Sequence, residues 1–208
     1  MLCWRSWPRT SGRNKRAVFE MDDTRREALI RLLQDPNDEV RKSAADALER
    51  LEGLSNMDAL LEHYRAGDKP ARLKAIYAFG KLRASGCLPP LIHALDDEAE
   101  DVRAAALRML GEIADAQTLP VIMSKLNDPS VTIQTMAVEA LGNFRNPNII
   151  PQILGLLKRE NRYLVVAALT TLGKMNAREA VSEIIELLES NDPDVRKTAA
   201  IVLGQIQG

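Results

Sequence analysis

Apolar and polar positions along this chain recur with a period of 31 residues, and the period runs six times without insertion or deletion. Ala44, Ala75, Ala106, Ala137, Ala168 and Ala199 mark it. Four places further on stand Leu48, Phe79, Leu110, Leu141, Leu172 and Leu203, followed by Glu49 and then Gly80, Gly111, Gly142, Gly173 and Gly204. Within each period the spacing predicts two helices. Counted from Val40, Ala71, Val102, Ile133, Leu164 and Val195, small or apolar residues return 4, 7, 8 and 11 places later, one stripe of a 3.6-residue helix. A second stripe lies upstream, through Leu29, Leu60, Leu91, Ile122, Ile153 and Ile184, and then Leu33, Tyr64, Leu95, Leu126, Leu157 and Leu188.

The helix ends are also legible. Pro89, Pro120 and Pro151 fall in the first turn of the upstream helix, where a missing N–H costs no hydrogen bond. Asp35-Pro36-Asn37-Asp38, Asp128-Pro129-Ser130 and Asn191-Asp192-Pro193-Asp194 break and cap between the two helices. Thr24-Arg25-Arg26-Glu27 reads as a capping box that opens the array. A mid-helix glycine costs about 1 kcal/mol relative to alanine. Its return at one register in five units is therefore expected to mark close approach of the next unit's backbone.

Units that cannot bury an apolar face alone must lean on their neighbours, so the period predicts an α-solenoid. The expected architecture is all-α, a right-handed α-solenoid of six helix pairs, with units at 22–53, 54–84, 85–115, 116–146, 147–177 and 178–208. Such a stack moves function away from a buried pocket and toward an extended surface.

Composition narrows the chemistry. Aromatics are 4% against 46% apolar residues, so aliphatic side chains and Ala must fill the core. Cys3 and Cys87 form neither a disulfide framework nor a metal-ligand cluster, which fits a reducing, cytoplasmic setting. No stretch has the ~18 apolar residues of a membrane span. Residues 1–20 carry five basic side chains and Glu20, leaving 23 basic and 28 acidic residues in the repeats. That balance speaks against a nucleic-acid partner, because binding phosphates needs a positive face. The segment 1–21 stands outside the period as a basic tail. Three readings remain for it: an upstream extension that is not native, with Met21 as the start, a disordered basic arm, or a presequence or aromatic anchor.

No constellation for catalysis emerges. His63 and His93 are the two histidines, neither followed by Glu, and His63 holds a normally apolar register, as a partly buried or rim residue would. Cys87 beside Leu88-Pro89-Pro90 has no obvious base. There is no glycine-rich phosphate loop and no paired-cysteine motif. No cofactor, metal or catalytic residue is expected.

Pro89, Leu91-Ile92, Leu95, Asp97, Val102-Arg103, Ala106, Leu110-Gly111 and Ile113 show the full motif in the third unit. On these residues the chain resembles HEAT-repeat proteins, closest to the short phycobilisome-lyase (PBS lyase) HEAT-like repeats, over residues 22–208. The resemblance implies a ladder of Asp and Arg side chains between neighbours. Its arginines would be Arg41, Arg72, Arg103 and Arg196. Gln134 and Val165 replace the arginine in units four and five, and Arg159 stands where Asp35, Asp97 and Asp128 stand elsewhere. The fourth-to-fifth junction is therefore expected to be the most deformable.

The resemblance also implies an inner surface lined by second helices. There Leu73, Tyr77, Arg108, Glu139, Val166 and Thr170 are the candidate contacts, with Tyr77 the anchor because aromatics dominate binding hot spots. Arg108 and Glu139, one period apart, are expected to pair across units. The expected function is a non-enzymatic scaffold or adaptor for a protein partner; the alternative is a bilin-lyase-like subunit or lyase partner. Ala200 and Leu203, in the sixth unit, are expected to leave a stacking face open to self-association.

Overall fold

The computed structural model describes residues 15–83 and 85–207, with side chains from Thr24 onward except at 54–55 and 84–85. Among the described residues every regular element is helical. The first helices of the pairs are α1 (Lys15–Leu32), α3 (Met57–Ala66), α5 (Leu88–Ala94), α7 (Leu119–Ser124), α9 (Ile150–Leu154) and α11 (Val181–Glu186). Their partners are α2 (Asp38–Ser55), α4 (Lys69–Leu82), α6 (Glu100–Ile113), α8 (Val131–Leu141), α10 (Arg162–Lys174) and α12 (Pro193–Gln205).

Local sequence explains the shapes. Pro89, Pro120 and Pro151 sit in the opening turns of α5, α7 and α9, which are only seven, six and five residues long. Each is entered through a tight 3-10 turn, and in α7, α9 and α11 the exit tightens likewise, at Lys125–Asn127, Gly155–Lys158 and Leu187–Glu189. Second helices are longer and capped. Asp68, Ser130, Asn161 and Asp192 each accept a hydrogen bond from backbone N–H groups of the first turn. Beyond their far ends, Arg83, Ala114, Arg145 and Asn176, again 31 apart, take the left-handed conformation with φ near 50°. This turn ordinarily favours glycine, and here four other residues carry it.

The chain divides into two compact units at the Met57–Asp58 boundary. In the first, α1 packs on α2 around the buried Ala44. In the second, α4, α6, α8, α10 and α12 pack each on the next, with a first helix beside each. Ala75, Ala106, Ala137, Ala168 and Ala199 are buried between them, as are Phe79, Leu110, Leu141 and Leu172. The stacked array predicted from the period thus holds through residues 58–208.

Helix α1 corrects one expectation. It begins at Lys15, so Thr24 lies inside a helix and is not its cap. The run from Lys15 to Met21 contains good helix formers and no breaker, so the helix extends upstream through it. Residues 1–14 of the predicted basic tail lie outside the described residues.

The glycine register marks close contact with the next repeat, with one exception, but the expected approach of its backbone occurs at Gly111 and the other contacts are with side chains. A Cβ on Gly111 would stand 2.8 Å from Ala140 Cβ and 2.9 Å from its Cα. One on Gly142 would meet the Thr171 methyl at 2.9 Å, and one on Gly173 would meet Val202 at 3.1 Å. At Gly80 the obstacle is the flexible Met109 side chain. Gly204, in the final repeat, faces open space, so no neighbour requires it.

The ladder forms where its residues persist. Arg72 Nη2 donates to Asp97 Oδ1 at 3.1 Å with Nε 2.9 Å from Oδ2, and Arg103 repeats this with Asp128 at 3.4 and 3.3 Å. These pairs are nearly dry, with Asp97 and Asp128 side chains 9% and 5% exposed. Each rung also reaches back, Arg103 Nη1 donating to the carbonyl of Asp97. Gln134 keeps that backward bond, to the carbonyl of Asp128 at 2.7 Å, but faces Arg159 in sequence register and makes no ion pair. Among the described residues no ion pair joins the fourth repeat to the fifth. The polar link between α8 and α10 is Thr171 Oγ1 donating to the carbonyl of Val138 at 3.4 Å.

Candidate functional site

Stacking turns a sequence register into a row of side chains. One row on the second helices runs Tyr77, Arg108, Glu139, Thr170 and Ile201, and all five are exposed. Tyr77 is 42% exposed and Ile201 50%. A second row, one helical turn earlier, runs Leu73, Ala104, Thr135, Val166 and Lys197. Leu73 and Val166 are half-buried there, so they floor the surface more than they project from it. All six predicted contact residues therefore lie in two adjacent rows on successive helices α4 to α10.

The predicted pairing of Arg108 with Glu139 does not form. Arg108 Nε turns to Glu112 Oε1 at 3.2 Å, one turn along its own helix. An i,i+4 partner is held at contact distance by helix geometry, whereas a partner on the next helix must be reached across the row. Glu139 is left exposed and without an ion pair. Thr170 donates its hydroxyl to the carbonyl of Val166, a local bond one turn back along its own helix.

The most exposed large hydrophobic side chain among the described residues was not singled out in the sequence. Tyr163, 60% exposed, stands in the first turn of α10, three and seven places before Val166 and Thr170 and hence on the same helix face. Arg162 Nη2 donates to its hydroxyl at 2.8 Å, with the guanidinium carbon 4.7 Å from the ring centroid. That hydrogen bond, and then the carboxylates of Asp192 and Asp194, push the guanidinium pKa above its ordinary value. The signal was available: a lone aromatic at a register where Asp101, Thr132 and Asp194 stand in other repeats. The surface thus has an aromatic-apolar patch at each end, Leu73 with Tyr77 and Tyr163 with Val166. Arg108 and Glu139 lie between. Three repeats separate the patches, about 25–30 Å at ~8–10 Å per helix.

His63 is exposed, its Nδ1 2.7 Å from the carbonyl of Ala59. Tyr64 is buried edge-on to Phe79 and His93, its hydroxyl 3.1 Å from His93 Nδ1. Burial, reinforced by the Asp97 carboxylate and opposed by Arg72, pushes the Tyr64 pKa up to about 12. Cys87 is fully buried at the entrance of α5, so its thiol is closed to substrates. No cluster of three or more His, Cys, Asp or Glu side chains suited to a metal occurs among the described residues. No helix among them is long and apolar enough to cross a membrane.

Comparison with known proteins agrees with this architecture. A profile of HEAT repeats matches residues 57–131, 88–165, 119–179 and 150–208, and a second HEAT-repeat profile matches residues 26–51. No curated protein matches the chain. Among solved structures, the complex of CpcE and CpcF of phycocyanin lyase from Nostoc sp. PCC7120 is 24% identical, with a TM-score of 0.51 over 97% of this chain and 80% of that one. YibA of Escherichia coli is 18% identical, TM-score 0.60, covering 95% and 77%. A designed armadillo repeat protein in complex with the peptide (KR)4 is 18% identical, TM-score 0.55, covering 86% and 98%. At these identities the likeness concerns the fold.

Proposed function

From the premise that this chain belongs to the HEAT-repeat family, we propose that it is a non-enzymatic scaffold or adaptor that binds a protein partner along the two exposed rows of its second helices. The observation that carries this reading is the pair of aromatic-apolar patches, Leu73 with Tyr77 and Tyr163 with Val166, presented outward from the stacked second helices. Exposed aromatics over half-buried aliphatic residues supply large contact area at little entropic cost, the composition of binding hot spots. Arg108 and Glu139 between them would set the orientation of an elongated partner through charge.

Affinity capture from native lysate, followed by binding of the identified partner to purified protein, tests the reading. Tyr77→Ala with Arg108→Glu is expected to abolish binding at unchanged helix content. Undiminished binding by that variant would exclude the ridge. A second reading, a bilin-lyase-like subunit or lyase partner, draws its support from the likeness to the phycocyanin lyase complex. Bilin transfer measured with and without the protein separates the two.

A further inference from the structure

The two ends of the repeat series carry complementary halves of the device that joins its interior repeats. In repeats two and three the ladder arginine holds a carbonyl of its own turn and also the aspartate 25 residues on, as Arg72 holds Gly67 and Asp97, and Arg103 holds Asp97 and Asp128. Arg196 in the last repeat makes the first contact, its Nη1 donating to the carbonyl of Ser190 at 2.6 Å. It is exposed and has no carboxylate partner among the described residues. Asp35 in the first repeat is the converse. Its Oδ1 accepts from Asn37 N at 2.8 Å, as Asp97 accepts from Ala99 N and Asp128 from Ser130 N, both at 2.9 Å. Arg41 Nη1 donates to the Asp35 carbonyl as Arg103 does to that of Asp97. The turn that presents a ladder carboxylate is thus built, and among the described residues no arginine side chain reaches the Asp35 carboxylate.

Packing residues show the same complementarity. Each interior glycine meets the residue 29 places on: Gly80 with Met109, Gly111 with Ala140, Gly142 with Thr171 and Gly173 with Val202. Gly204 meets nothing within 4 Å. Four places before these glycines, Ile76, Leu107, Val138 and Leu169 are fully buried, whereas Ala200 is exposed. Continuing the 31-residue count past the sixth repeat into a second copy brings Asp35 to the ladder place and Ala47 to the packing place. Ala47 lies in a groove of about 340 Å³ formed with Ala28, Leu29 and Leu51, between Arg25 and Arg50.

We propose that copies of this chain associate head to tail, with Arg196 and the Gly204 face of one seated on Asp35 and the Ala47 groove of the next. Such a contact is heterologous, so it propagates into open chains and does not stop at a closed dimer. The pair would sit in an environment as dry as the interior rungs, where a charged rung fixes register more than it adds stability.

Sedimentation of the full chain over a concentration series tests this. The weight-average mass is expected to climb from the 23.1 kDa of one chain to twice that and beyond. Arg196→Glu alone and Asp35→Arg alone are each expected to hold the mass at one chain, because each places like charges across the contact. Mixing these two variants restores opposite charges at both ends and is expected to restore association. Gly204→Phe is expected to keep its helix content, since the space is open, and to lose association; it decides the matter should Asp35→Arg fail to fold. A wild-type mass fixed at one chain at every concentration would overturn the proposal and leave the face to a different partner. Association that survives both Arg196→Glu and Gly204→Phe would overturn it in favour of another surface.

Discussion

Repeats two to four and repeats four to six are made from the same helix pair, yet they are joined differently. In the former, each junction combines a glycine contact with a nearly dry Arg–Asp rung, and surface pairs Lys69–Asp101 and Lys125–Asp96 run alongside. Between repeats four and five the glycine contact remains, Gly142 against Thr171, but the rung is gone. At the fifth-to-sixth junction the glycine contact remains, Gly173 against Val202, and the exposed Arg162 lies 3.5 Å from Asp194 and 4.0 Å from Asp192. Apolar packing is therefore sufficient to propagate the stack, and the rung adds register on top of it. Among the described residues the fourth-to-fifth junction lacks both the rung and any ion pair, which gives the solenoid a defined place to bend, because its stability is a sum of nearest-neighbour terms.

The largest way to break this contrast is to remove a carboxylate. Asp128→Ala leaves Arg103 buried and unpaired and is expected to lower unfolding free energy by about 3 kcal/mol. Arg159→Ala, at the equivalent place one repeat later, should be close to neutral, and urea denaturation compares the two. Next comes packing. Gly111→Ala forces a methyl against the Ala140 backbone and is expected to cost about 2 kcal/mol. Gly204→Ala, facing open space, should be neutral or slightly stabilising.

How far such contrasts could be foreseen depends on the kind of interaction. The Gly80 to Gly173 register and the buried alanines were legible because stacking repeats a steric demand at every period. The loss of the rung at Gln134 and Arg159 was legible as a break in that period. What escaped follows local rules that override the period. Arg108 prefers Glu112 on its own helix to Glu139 on the next. Arg83, Ala114 and Arg145 take the left-handed turn that glycine would announce. Helix α1 runs on upstream of Met21 because no breaker stands between Lys15 and Met21. Tyr163 escaped because it departs from its register instead of repeating it.

A third test uses pH. Tyr64 touches the first rung's surroundings, and its pKa in the folded protein, about 12, lies above the ordinary 10. The unfolded chain therefore loses its proton first. Stability is expected to be unaffected below pH 10 and to fall between about pH 10 and 12, by on the order of 1–2 kcal/mol. Comparing Tyr64→Phe with wild type in stability measurements across that range isolates the effect, since the variant should lose this part of the decline. Smallest of all is the attempt to erase the difference. Gln134→Arg with Arg159→Asp installs a rung at the fourth-to-fifth junction and is expected to add at most about 1 kcal/mol, because desolvating the pair offsets most of its attraction. Its readout is slower amide exchange in α8 and α10.

Native-state hydrogen exchange followed by mass spectrometry, in low denaturant, tests the central claim most directly: packing carries the stack, and the missing rung sets where it opens. Peptides from α10 and α12 should exchange together, at lower opening free energy than peptides from α6 and α8. Opening of all four helices as one unit, or opening first at α6, would contradict it.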